Sequence, residues 1–309
     1  MPTGLRTPHR RDDAKFVESS QRFSVWQLID KRQARRAFER AADGYEAAAV
    51  LQREIATRML ERLDYVRLTP SLILDAGAGT GMAIDGLMRR FPKARVIALD
   101  FALPMLLRAR RRGSWRRRPR CVCADTEALP LVDGSLDLIF SNVTLQWCND
   151  LEGTFREFLR VLRPGGLLMF TTFGPDTLKE LRAAWAAVDA ASHVSDFLDM
   201  HDIGDALVRT RFADPVMDVE NLTLTYPTVE KLMGDLKVLG AHNVTAGRPR
   251  GLTGKARLRR KIAAYEQFRR DGRLPASYEV VHGHAWVPTQ KPVADGIAVP
   301  VGAIGRRRP

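Results

Sequence analysis

The stretch Leu74-Asp75-Ala76-Gly77-Ala78-Gly79-Thr80-Gly81 limits what this chain can fold into more than any other. The apolar run before it, residues 72–75, reads as a short strand. Glycines then fall at every second position. A glycine has no Cβ, so such a turn lets a ligand come close to the backbone. In open α/β sheets that approach is made at the carboxyl ends of the strands. The stretch therefore predicts a first sheet strand, a ligand-binding turn and a following helix.

The flanking pattern agrees. Helical periodicity over 82–90 gives way to a strand over 95–100, a helix over 104–112 with Pro104 in its first turn, and strands over 121–124 and 136–141. A helix over 151–162 closes on Pro164-Gly165-Gly166 before a fifth strand over 167–172. Strand and helix in alternation mean a doubly wound α/β domain, its mostly parallel sheet covered on both faces. Upstream, residues 30–65 are helical, with Gly44 separating two helices, and read as a lid. Downstream come helices over 176–189 and 202–211 and an alternating strand over 216–226. A basic helical insertion over about 229–275 precedes a last strand over 278–286. The boundaries expected are a flexible extension over 1–29, one domain over 30–287 with its core at 72–190, and a tail over 288–309.

The glycine spacing narrows the ligand. Dinucleotide sites use G-x-G-x-x-G to admit a pyrophosphate. Here the glycines are 77, 79 and 81, and position 82 is Met. S-adenosylmethionine has no pyrophosphate, but it has an amino-acid end whose ammonium needs an acidic or carbonyl environment. Asp75, just before Gly77 and Gly79, can supply one. Asp100 ends the second strand, where a carboxylate can accept both ribose hydroxyls. Asp125 ends the third and fits an acceptor for the adenine amino group; a plain turn aspartate is the alternative. Asn142 follows the fourth strand, with Gln146-Trp147 shortly after, at the mouth where methyl donor and acceptor would meet.

Composition bears on the partner. The net charge is +13, and residues 108–120 hold eight arginines and no acid. More basic residues crowd 248–273. A solvated basic face or an acidic partner would both explain this. No aromatic–basic platform for nucleic acid is present. No apolar run approaches the roughly 18–20 residues of a membrane span, and the basic first residues lead into no secretory signal. The three cysteines, Cys121, Cys123 and Cys148, form no even-numbered framework or metal-ligand spacing. They read as buried thiols in a reducing cytoplasmic compartment.

The layout from residue 72 to about 173 resembles class I S-adenosylmethionine-dependent methyltransferases. That resemblance implies a seven-stranded sheet whose last strand, 278–286, runs antiparallel. No general base stands out: there is no Asn-Pro-Pro-Tyr motif and no cysteine nucleophile site. A carboxylate acceptor is already ionised at pH 7 and needs none, only in-line placement.

Beyond that core the chain resembles the malonyl-carrier-protein O-methyltransferases of biotin synthesis. The likeness lies in Arg36-Ala37-Phe38-Glu39-Arg40-Ala41-Ala42 with Tyr45 and Leu51-Gln52-Arg53, in Ser141-Asn142 with Gln146-Trp147-Cys148, and in Thr177-Leu178-Lys179-Glu180-Leu181 with Trp185. It continues in Leu236-Lys237 with Gly240-Ala241-His242 and Gly247-Arg248. It implies methyl transfer to the free carboxylate of a malonyl thioester on an acidic acyl carrier protein, or on coenzyme A. Tyr45, Trp147, Arg182 and Arg248 are the expected substrate contacts, with Arg182 the first choice to hold the carboxylate. Two alternatives stay open. Phe173-Gly174, Asp176-Thr177-Leu178 and Tyr226-Pro227 are also similar to complex I assembly methyltransferase-like proteins, which implies action on a protein arginine. Another small-molecule O-methyltransferase is the second.

Overall fold

A computed structural model describes residues 28–189, 191, 193–240 and 254–289. Three helical segments open it: α1 (Lys31–Ala41), α2 (Tyr45–Ala48) and α3 (Val50–Arg62). Asp30 caps α1 by accepting from the Gln33 N–H at 3.0 Å. Ala34, Ala37 and Ala41 bury one stripe of it. Gly44 separates α1 from α2 as its spacing predicts, and the chain breaks again at Ala49, so the lid has three pieces instead of two.

The core alternates β1 (Leu72–Ala76), α4 (Ile84–Arg90), β2 (Arg95–Asp100), α5 (Leu103–Ala109), β3 (Arg120–Cys123), β4 (Leu136–Ser141), α6 (Leu151–Val161) and β5 (Leu162–Phe173). Then follow α7 (Lys179–Ala186), α8 (Met200–Arg209), β6 (Ala213–Tyr226), α9 (Val229–Val238), α10 (Lys255–Glu266) and β7 (Leu274–Trp286). The strands form one sheet in the order β3-β2-β1-β4-β5-β7-β6. The first five pair in parallel, and β7 runs antiparallel to both β5 and β6. This is the doubly wound, seven-stranded sheet the sequence implies.

Both faces are covered, so β1 and β4 are buried along nearly their whole length. Phe155, Phe158, Ile203 and Leu207 pack on one face. Met59, Ile84, Leu87 and Leu106 pack on the other. A third cluster, with Leu181, Trp185, Leu232 and Tyr265, lies under α7, α9 and α10.

Three expectations need correction. Pro164-Gly165-Gly166 does not separate α6 from a strand. It lies inside β5, because the Gly165 N–H donates to Val287 O and the Val287 N–H donates to Gly166 O, which extends the pairing. The helix expected over 176–189 forms only from Lys179, since Leu178 before it is left-handed at φ 55°. Cys123 is exposed, not buried, because β3 is the sheet edge. Among the described residues no helix is long and apolar enough to cross a membrane.

Candidate active site

Parallel pairing brings the carboxyl ends of β1, β2, β3, β4 and β5 to one edge, and the lid lies over it. A cleft there encloses about 1350 Å³, its open mouth included. It runs from the glycine turn to Tyr226 and Tyr278 on β6 and β7.

The glycine turn forms its floor. Gly77 and Gly79 are left-handed at φ 73° and 53°. A Cβ on Gly77 would stand 2.1 Å from Thr144 Oγ1, whereas a Cβ on Gly79 would meet nothing within 4 Å. The space over Gly79 is thus open to a ligand. The N–H groups of Gly77 and Ala78 donate to Leu99 O at 2.8 and 2.9 Å, fixing the turn to β2. Asp100 Oδ2 accepts from the Gly79 N–H at 2.9 Å, and Oδ1 accepts from the Ala102 N–H at 2.8 Å. Burial pushes the Asp100 carboxyl up to about 6, and these backbone donors pull against it.

Asp75 is 2% exposed, and its Oδ2 has no hydrogen-bond partner. Burial, then the nearby Asp100 charge, pushes it up to about 7. A buried carboxylate oxygen without a donor is costly, and this one borders a recess with Gly77, Gly79, Met82, Tyr45 and Asn142. A cationic ligand group there would repair the deficit. The recess thus fits the ammonium end of S-adenosylmethionine, and the open space over Gly79 fits a ligand against the backbone.

The remaining candidates fall out unevenly. Asp125 lines the cleft, accepts from Lys31 Nζ at 3.0 Å and from the Glu127 N–H at 3.1 Å, so it is a turn residue and a cleft acceptor at once. Lys31, at the start of the lid, also pairs with Glu127. Asn142 lines the cleft with its amide already engaged. Its Nδ2 donates to Gln52 O at 3.1 Å, and its Oδ1 accepts from the Thr171 hydroxyl at 2.9 Å. Tyr45 lies between the recess and the main cleft; burial, then Asp100, raises its phenol. Trp147 lines the cleft and meets Phe38 of the lid edge-on, ring centres 5.0 Å apart.

Arg182 does not line the cleft. Its guanidinium donates to Pro175 O at 2.7 Å, Thr177 O at 3.3 Å and Ser195 O at 3.4 Å. It ties the loop after β5 to the segment near Ser195, a task invisible in the helical spacing that nominated it. Arg182→Ala should therefore cost about 1–3 kcal/mol of stability through these lost charge-assisted bonds. Thermal unfolding should show it as a lower Tm, with cofactor affinity unchanged; an unaltered Tm would refute the structural role. Arg248 lies outside the described residues. Sequence reasoning missed Lys31, Tyr226 and Tyr278, which also line the cleft. The alternation of β6 could have flagged Tyr226, since it places Leu222, Leu224 and Tyr226 on one face.

The lid is fastened to the body by ion pairs: Lys31 to Asp125 and Glu127, Asp43 to Arg108, Glu46 to Arg112, Arg58 to Glu220 and Arg62 to Asp218.

Comparison with known proteins places this arrangement. Residues 74–170 match the methyltransferase domain family. The fold is similar to that of the YcgJ protein of Bacillus subtilis, with a TM-score of 0.53 over 76% of this chain and 98% of the other at 14% identity. The sheet order, the glycine turn and the acids at the strand ends are those of a class I, S-adenosylmethionine-dependent methyltransferase. The chain is 56% identical to the malonyl-[acyl-carrier protein] O-methyltransferase of Gallionella capsiferriformans, over 88% of this chain and 96% of the relative. It is 55% identical to that of Laribacter hongkongensis, over 85% and 91%. It belongs to the malonyl-[acyl-carrier protein] O-methyltransferase family.

Proposed function

We propose that this enzyme moves the methyl group of S-adenosylmethionine to the free carboxylate of a malonyl thioester carried by an acidic acyl carrier protein, as the opening step of biotin side-chain synthesis in the cytoplasm. The identity with malonyl-[acyl-carrier protein] O-methyltransferases across nearly the whole chain carries this reading. The bound cofactor supplies an electrophilic methyl on a sulfonium. Asp75 would receive its ammonium, the backbone at Gly77 and Gly79 would lie against its amino-acid end, Asp100 would hold the ribose hydroxyls, and Asp125 would accept from the adenine amino group. Tyr45 of the lid and Trp147, which follows β4 and meets the lid at Phe38, would close the cleft over the ligands. The acceptor carboxylate is ionised at neutral pH, so no side chain has to remove a proton. Placement in line supplies the rate.

The carrier meets a basic surface. Lys255, Arg257, Arg259 and Arg260 are exposed on α10. Arg257 is partly spent on Asp189, at 2.8 Å. Arg248 and Arg250 of the same insertion lie outside the described residues. Steering by such charges raises the association rate and fades with salt.

The test is to incubate the protein with S-adenosylmethionine and malonyl-carrier protein or malonyl-coenzyme A and weigh the products. The expected result is a gain of one methylene on the carrier thioester, with kcat/KM falling severalfold from low to physiological salt. No mass gain on either thioester would sink the reading. Gain without salt dependence would move the docking surface away from α10.

A further inference from the structure

The proposed acceptor brings a carboxylate into the cleft, and the cleft must compensate its lost hydration. A buried anion without partners is too costly to hold. Yet among the described lining residues the one cation is Lys31, and it is bound to Asp125 and Glu127 at the cofactor end. The other half of the cleft is lined by Phe173, Thr177, Ser195, Phe197, Tyr226 and Tyr278. Its hydrogen-bonding capacity there is neutral.

Most of that capacity is already in use. The Thr177 hydroxyl donates to Glu279 O at 3.1 Å and accepts from the Glu279 N–H at 3.1 Å. Gln146, nearby, donates to Val143 O at 2.8 Å and accepts from the Thr172 hydroxyl at 3.1 Å. The two tyrosines differ. Tyr226 ends β6, and Tyr278 stands on β7, four residues along the register, with Ala276 between them. Both line the cleft, and neither hydroxyl makes a hydrogen bond to another described residue. Burial raises both phenols, so both stay neutral at pH 7. Each proton is then free to donate to a ligand. The pair is held rigidly: Tyr278 packs on Phe173 with ring centres 5.8 Å apart, and Tyr265 behind it donates to Pro275 O at 2.8 Å.

We propose that Tyr226 and Tyr278 are the neutral donors that receive one oxygen of the acceptor carboxylate, and that this hydroxyl pair distinguishes a carboxylate-bearing acyl group from an uncharged one. The inference rests on the malonyl reading above. It also suits the chemistry. A guanidinium bound in a full fork would draw charge from both carboxylate oxygens. Neutral phenols gathered on one oxygen leave the second with its charge, free to face the methyl group, and the bond formed is carbon to that oxygen as the carbon–sulfur bond breaks.

The experiment compares the unaltered enzyme, Tyr226→Phe and Tyr278→Phe with malonyl-carrier protein as substrate and acetyl-carrier protein as a competitor lacking the carboxylate. Each substitution removes one oxygen and keeps the ring. For Tyr226→Phe, kcat/KM on malonyl-carrier protein should fall about 10- to 100-fold, the scale of one lost hydrogen bond to a charged group. Tyr278→Phe should fall on the same scale, since its hydroxyl also lines the cleft without a partner. Cofactor affinity by calorimetry and the inhibition constant of acetyl-carrier protein should stay as they are, so the malonyl preference narrows. A Tyr226→Phe enzyme with kcat/KM within twofold and its preference intact overturns the inference. So does a loss that extends equally to cofactor and acetyl-carrier binding, which would mark a packing role. Failure of the unaltered enzyme to methylate malonyl-carrier protein would instead overturn the function on which the inference stands.

Discussion

Asp100→Ala should weaken S-adenosylmethionine binding by about 1.5–3 kcal/mol, the scale of hydrogen bonds lost from a charged acceptor. That is roughly a 10- to 100-fold rise in Kd. Two losses combine: the proposed grip on the ribose, and the acceptor that holds the Gly79 and Ala102 N–H groups in place. Asp100→Asn separates them. It keeps one acceptor oxygen for the backbone but loses the charge, so its effect should be smaller. Unchanged affinity in titration calorimetry of Asp100→Ala would remove this residue from the site. The same acids set a pH dependence. In the unliganded protein Asp75 is raised to about 7 and Asp100 to about 6. A cationic ligand favours their ionised forms, so binding releases protons, and affinity should rise between about pH 6 and pH 8. An affinity flat across that window would mean that neither carboxylate meets the cofactor's charge.

Gly77→Ala and Gly79→Ala should part company. Both positions are left-handed, which costs a residue with a side chain about 1–2 kcal/mol. At Gly77 the new methyl also collides with the Thr144 side chain. Overpacking adds about 1–3 kcal/mol, so the variant should lose both stability and cofactor binding. At Gly79 the methyl enters open space. Stability should drop only by the backbone cost, while cofactor affinity falls at least tenfold because the methyl occupies the ligand's ground. Chemical unfolding and calorimetry on the two variants check this. Equal stability losses, or a Gly79→Ala protein that binds normally, would place the ligand elsewhere.

The parallel core was legible because its signals are local. β2 over Arg95–Asp100 and β4 over Leu136–Ser141 have the bounds their apolar runs predict. The glycine turn and the acids at 75, 100 and 125 announce themselves by place in the chain, each at or just after a strand end. What stayed hidden depends on distant partners. Nothing near Pro164 shows that Val287 will pair with Gly165 and Gly166. The spacing of α7 shows which way Arg182 faces, but not that three carbonyls wait there. Tyr226 and Tyr278 are 52 positions apart in the sequence and meet only through the β6–β7 register. The acceptor side of the cleft is built from the chain's second half, where local patterns are weakest.

The fasteners of the lid have a consequence for turnover. The ion pairs from Lys31, Asp43, Glu46, Arg58 and Arg62 sit where solvent reaches at least one partner of each. Pairs of that kind contribute about 0–1 kcal/mol each and are screened by salt. Ile55 and Met59 anchor α3 in the core, but the polar fastening of α1 and α2 is several weak clasps and no single strong one. They can give way one after another, like a zip, so the spent cofactor can leave without unfolding of the sheet beneath. Lid motions of this kind run on microseconds to milliseconds.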